Sequence, residues 1–198
     1  MRNQSGDIYD VIVEPRYDTQ TILAAGALQL NFFAQPVGLG SSNFSATAAT
    51  VKQYADTNLD LAAQLPSGFN FLILGFRIQP HFALTQPDAN KWSSGAWFTF
   101  TIGQKPFLRV TVDTIPAGAG AYGITTVATA SSMAHGYPAL SNAYSIARKP
   151  LLLPQTANFG ATINWVALSP VTTVAPVQPA AGLPVRVYLD GVLTRVTQ

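Results

Sequence analysis

FNFLILGFRIQPHF, residues 69–82, is the most apolar stretch of the chain, and it sets Arg77 and His81 into an otherwise hydrophobic run. Three readings compete: a membrane span, the centre of a core, or the wall of a chemical site. The uninterrupted part, Phe71 to Phe76, is six residues long, far short of the roughly 18 that a spanning helix needs. Counted at period two, Phe69, Phe71 and Ile73 fall on one face and Leu72, Leu74, Phe76 and Ile78 on the other. The run therefore predicts a strand covered on both sides, and its second apolar face asks for neighbours. Gly75 marks a bulge or a close backbone approach, and Arg77 and His81 fall where the strand leaves the core.

Outward from this strand, period-two alternation recurs. In NLDLAAQL (58–65), Leu59, Leu61, Ala63 and Leu65 share a face; in ATINWVAL (161–168), Ala161, Ile163, Trp165 and Ala167 do. WFTFTI (97–102) and FLRVTV (107–112) flank Gly103-Gln104-Lys105-Pro106, which predicts a hairpin with a longer turn. PVRVYLDGVLTRV (184–196) predicts a second hairpin, with Asp190-Gly191 as its type I′ turn. That register sets Arg186 opposite Arg195. Like charges so placed repel, so either both splay into water or an anion, such as a neighbour's carboxylate, sits between them. Thr19 to Gly26 is the best candidate for a short helix, and the four prolines of 169–184 make a stiff, extended connector. The count is about eight to ten short strands. The fold class is all-β, an antiparallel jelly-roll β-sandwich over residues 27–198, preceded by an extended N-terminal arm, residues 1–26.

Composition narrows the function. The 198 residues are 48% hydrophobic and only 10% charged, against roughly 25% charged in ordinary globular domains. Such a chain either carries an uncharged polar surface or has much of its surface covered by neighbours, and exposed apolar patches favour the second. The opening MRNQSGDIYDVIVEPRYD lacks a signal-peptide pattern. With no cysteine there is no disulfide, thiolate metal site or thiol nucleophile. A net charge of +2 does not suit a dedicated nucleic-acid binder.

The chemical motifs are thin. GAGAYG (118–123) has dinucleotide-loop spacing, but Pro116 precedes it, a β-rich segment follows and no acid stands about 20 residues on. A cupin-type metal enzyme needs two or three histidines and a carboxylate on neighbouring strands; this chain has only His81 and His135, with no glutamate near either. No Gly-x-Ser-x-Gly elbow is present. Most aspartates stand in turns or the N-terminal segment, where solvated or turn-forming roles are normal. Asp56-Thr57-Asn58-Leu59-Asp60 begins like a calcium loop, yet Leu61 replaces the required glycine and Ser67 the closing glutamate. Trp92, in the polar loop PDANKWSSG, is the one tryptophan placed for sugar stacking, the basis of a carbohydrate-binding alternative. No catalytic residue, cofactor or resident metal is indicated.

Charge is uneven: residues 1–20 carry a net −2 and residues 144–198 a net +3. An acidic arm does not package nucleic acid; it suits docking on a basic surface such as the Arg186/Arg195 face of a neighbour, with Ile8, Val11 and Val13 as apolar handholds. NLDLAAQLPSGFNFLILGFRIQP, followed by W-x-x-G-x-WFTFTIGQKPFLRV and the terminal VRVYLDGVLTRV, resembles small jelly-roll capsid proteins of tailless icosahedral bacterial viruses, over about two-thirds of the chain. The resemblance implies a non-catalytic virion structural protein, made in the host cytoplasm and assembled into a shell. Its partners would be copies of itself and other virion proteins, in some cases over an internal viral membrane. The missing basic arm departs from that pattern and speaks against direct genome contact.

Overall fold

Alternating burial organises the computed structural model, which describes residues 9–22, 29–43, 50–80, 95–115, 143–165 and 182–196, and the backbone of 121–127 and 130–135. Its strands are β1 (Tyr9–Val13), β2 (Arg16–Thr21), β3 (Gln29–Phe32), β4 (Phe69–Pro80), β5 (Ala96–Ile102), β6 (Lys105–Thr111), β7 (Ala121–Val127), β8 (Ala130–His135), β9 (Tyr144–Ser145), β10 (Leu151–Leu153), β11 (Phe159–Trp165) and β12 (Pro184–Val196). In the first sheet the long strands β12 and β4 lie side by side; β1 and β2 share the far edge of β12, and β9 and β10 the far edge of β4. The second sheet runs β3-β11-β5-β6, and β7 pairs with β8 alone. Both sheets are antiparallel. Their inner faces meet in one hydrophobic core, where Phe76 of β4 packs 5.7 Å from Phe98 and 5.2 Å from Phe100 of β5, ring centre to ring centre. The molecule is a β-sandwich, as the alternation predicts.

One extra residue resolves the two apolar faces of β4. Ile73 pairs with Gly191 and Gly75 with Asp190, which leaves Leu74 without an opposite number on β12. This β-bulge shifts the phase of the strand by one residue. Phe71 and Ile73 before it, and Phe76 and Ile78 after it, therefore all turn into the same core. The expected second apolar face shrinks to half-buried Leu72 and Leu74, and beyond the bulge it becomes Arg77 and Gln79. β12 keeps its own phase, with Val185, Val187, Leu189 and Leu193 inward. Gly191 must lie in that inward row without a side chain, because a Cβ there would stand 2.2 Å from the Leu72 carbonyl oxygen and 2.7 Å from the Phe71 ring.

The expected hairpin in 184–196 is not formed. β12 is continuous through Asp190-Gly191, and Gly191 is not at positive φ. Two paired edges override the local turn signal: β4 binds one side of β12 along its length and β1 with β2 the other. Arg186 and Arg195 consequently do not face each other. The β5–β6 hairpin does form, but its loop is the two-residue Gly103-Gln104, with Gly103 at φ 59°, as a tight hairpin turn with glycine first requires. Residues 58–65 are not a strand; Leu59 and Leu65 drop into the core from irregular backbone while Leu61 stays exposed. Residues 19–21 extend β2 rather than start a helix, with 23–28 outside the described residues. Residues 9–21 of the expected arm are two edge strands of the first sheet, parted at Glu14-Pro15, where proline cannot donate to a ladder.

The bulge can be tested by adding one methyl group. Gly191→Ala is expected to destabilise the fold by about 2 kcal/mol or more through overpacking against the Leu72 backbone. Gly160→Ala, whose Cβ would find only ordinary contacts at 3.7 and 3.9 Å, is expected to stay within about 0.5 kcal/mol. Urea unfolding of the two variants checks the difference.

Candidate functional site: the outer face of the first sheet

The register that fills the core also writes a pattern on the outside. Ile12, Leu193, Phe71 and Leu153 form an inward row across β1, β12, β4 and β10, with the last three fully buried. The adjacent row, Val13, Val192, Leu72 and Leu152, points outward and is apolar across all four strands. Val13 is 82% exposed and Leu152 59%. Val11, on the same face of β1, is also exposed. Val192 and Leu72 between them are half-buried, and an apolar row left partly open to solvent, with both ends exposed, is the signature of an interaction surface. The second sheet differs: its outward rows are Gln29, Asn164, Trp97 and Thr111, then Asn31, Thr162, Thr99 and Arg109. Most of these side chains are polar and uncharged, with Thr99 buried among them and Arg109 at the edge strand.

Past the bulge the outer face of the first sheet changes character. Tyr17, Tyr188 and Arg77 lie in one row across β2, β12 and β4, and Thr19, Arg186 and Gln79 in the next. The Arg77 guanidinium grips Asp190 bidentately, Nε to Oδ2 at 2.6 Å and Nη2 to Oδ1 at 2.7 Å, and sits 4.4 Å over the Tyr188 ring. The Arg186 guanidinium lies 5.3 Å from the Tyr17 ring centre, donates to Thr19 Oγ1 at 2.8 Å and also donates to the Ala55 carbonyl. Tyr188 Oη donates to Gln79 Oε1 at 3.1 Å, and Tyr17 Oη donates to the Tyr54 carbonyl at 2.5 Å. Burial pushes the Tyr17 hydroxyl above its ordinary pKa against the opposing pull of Arg186. Tyrosine and arginine fixed this way lose little freedom on contact, which is why both are enriched where interfaces concentrate their energy.

The residues singled out from sequence are distributed as follows. Val11 and Val13 are on this face. Arg186 is in the tyrosine cluster, tied within its own chain, and Arg195 forms an exposed 3.1 Å ion pair with Asp10 of β1. The acidic N-terminal segment thus meets basic β12 inside one subunit, where docking on a neighbour was expected. Ile8, Trp92 and His81 lie outside the described residues, as do 118–120 of the glycine-rich loop, whose remainder enters β7. The sequence places Leu72 on an apolar face that asks for neighbours, but Leu152, Val192, Tyr17, Tyr188 and the Arg77–Asp190 pair are not foreseen, because a hairpin register at 184–196 breaks up the rows that β12 joins.

Two aspartates are buried: Asp18, expected in a solvated or turn-forming role, has neither, whereas Asp56 is turn-forming. Asp18 of β2 points inward in the row of Val187 and Ile78 and is closed off by Lys52, Nζ to Oδ1 at 2.5 Å. Asp56 accepts the backbone N–H groups of Asn43 at 2.7 Å and Gln53 at 3.0 Å. Burial raises the Asp56 carboxyl, but these bonds, joined by the Ser42 and Asn43 side chains, outweigh it and hold the group below its ordinary value. Thr57 Oγ1 donates to the Tyr17 carbonyl and Asn58 Oδ1 accepts the Tyr17 N–H, so the would-be calcium loop is spent on clasping β2. Among the described residues no three His, Cys, Asp or Glu side chains converge on a metal position, and no helix is long and apolar enough to cross a membrane.

No protein-family model, curated protein or solved structure is significantly similar to this chain. Function must be read from the faces of the sandwich themselves.

The Asp56 clasp carries a pH signature. Its folded pKa lies below the unfolded one, so its stabilisation is present at neutral pH and is lost as pH falls through the acid range. Asp56→Asn is expected to lower Tm clearly at about pH 6 and to approach the parent at about pH 3. Thermal melts of both proteins across that range provide the check.

Proposed function

We propose that the chain is a virion structural protein: a capsid subunit, built as a single jelly roll, that assembles with copies of itself and with other virion proteins. The observation that carries this reading is the outward apolar row Val13-Val192-Leu72-Leu152, which spans the first sheet beside a rigid tyrosine–arginine cluster. A free monomer gains nothing from exposing such a row, whereas a shell subunit covers it. Specific interfaces bury about 1,200–2,000 Å² in total, and a whole sheet face is the right scale.

Strand order supports the jelly-roll part. With β1/β2 and β9/β10 each taken as one interrupted strand, and the separate β7–β8 pair set aside, the chain visits the first, second, first, second, second, first, second and first sheets in turn. That order is what two Greek keys wound into eight strands would give, an architecture shared by viral shells, lectins and cupins. Fold alone does not choose among them; the apolar row favours the shell. No catalytic role is assigned, and the place of action implied is the virion.

The test is to charge the row. Val13→Asp/Leu152→Asp is expected to cut assembly at least tenfold by light scattering while leaving the far-ultraviolet circular dichroism unchanged. Thr162→Asp, on the outer face of the second sheet, serves as the comparison. A double variant that assembles like the parent would refute the role given to this face, and glycan binding by a strictly monomeric parent would favour a lectin-like module instead.

A further inference from the structure

The Lys52–Asp18 pair stands apart from the outer face and is independent of the shell reading. Both side chains are essentially without solvent, 1% and 0% exposed, and their charged ends meet at 2.5 Å. Asp18 lies on the inward row of β2 beside fully buried Val187, and the next residue in space, Phe33, is itself buried. Burial raises the Asp18 carboxyl above its ordinary value, against the opposing pulls of Lys52, the Phe33 N–H and Gln20. A dry pair of this kind has less reason to remain separated as ions than a surface pair has.

The two carboxyl oxygens are held differently. Oδ1 faces the Lys52 amine. Oδ2 accepts the backbone N–H of Phe33 at 2.7 Å and Nε2 of Gln20 at 3.2 Å. Two fixed donors on one carboxyl oxygen are the arrangement that stabilises negative charge on a tetrahedral adduct. The Thr19 carbonyl, 3.1 Å from Nζ, holds the amine against the carboxyl. Positioning of this order replaces a very high concentration of reactant.

We propose that Lys52 and Asp18 condense into an intramolecular isopeptide bond, a covalent staple between β2 and the 50–60 segment that clasps it. One ammonium proton passes from Nζ to Oδ1, giving a neutral amine and a neutral carboxylic acid. The Nζ lone pair then attacks Cγ, and the carbonyl electron pair moves onto Oδ2, where the Phe33 N–H and the Gln20 amide receive it. A second Nζ proton goes to Oδ1, the Cγ–Oδ1 bond breaks and water leaves. The product amide keeps one N–H and a carbonyl at Oδ2. All the protons come from the lysine ammonium, so no oxidant, cofactor or activated ester is consumed.

Intact-mass spectrometry of the purified full chain, denatured in guanidinium, tests this directly, because the readout does not depend on folding at the time of measurement. The parent protein is expected to weigh about 18 Da (one water) less than its sequence, while Lys52→Arg, prepared alongside it, has the full sequence mass. After denaturing acetylation, Lys91, Lys105 and Lys149 are expected to be modified and Lys52 not, and a digest yields one branched peptide joining Lys52 to Asp18. A parent of full sequence mass whose Lys52 is acetylated like the other lysines overturns the proposal. A mass deficit that persists in Lys52→Arg does so as well.

Discussion

The bulge at Leu74, opposite the Asp190–Gly191 step, is the constraint on which the sandwich depends. Without it, the two halves of β4 would present Phe71 and Ile73 to one side and Phe76 and Ile78 to the other, because strand side chains alternate strictly. The first sheet could then fill only half a core. With it, all four turn inward and meet Phe98 and Phe100 from the second sheet. The local chemistry enforces the bulge from both faces. Inside, only glycine fits at position 191 against the Leu72 carbonyl; outside, Asp190 is fixed by both nitrogens of the Arg77 fork. Such bidentate pairs add geometric specificity as well as energy.

How much of this was legible in sequence follows the range of each interaction. Alternation in ATINW is local, and Ala161, Ile163 and Trp165 are buried as their spacing predicts. Gly103-Gln104 lies between two apolar runs that pair with each other, so that hairpin was readable as well. Asp190-Gly191 carries the same kind of local signal and misleads, because its conformation is decided by strands paired on both edges of β12, with Arg77, 113 residues earlier, gripping Asp190. The same holds for Asp18: its surroundings in sequence, RYDTQ, look solvated, but its partners Phe33 and Lys52 arrive from later segments. Gly75 did signal irregularity; what could not be read was which neighbour the irregularity would serve.

The candidate site is a by-product of that register. Because β12 runs unbroken, its outward residues line up with those of β1, β2, β4 and β10, producing an apolar row at one end and a tyrosine–arginine cluster at the other. The sequence suggests Val11 and Val13 as apolar handholds of an arm docked on a neighbour. They lie exposed on an edge strand paired within its own sheet, beside a surface built from four strands. Low overall charge acquires two separate explanations: threonine, asparagine and glutamine on the outer face of the second sheet, and a face suited to burial on the first.

The central functional claim is that this second kind of face exists to be covered by other subunits. Negative-stain electron microscopy of the purified chain, concentrated under conditions that favour association, addresses it most directly. Closed particles of uniform diameter built from many copies are expected. A field of single small molecules at every concentration reached, with no particles formed, would contradict it.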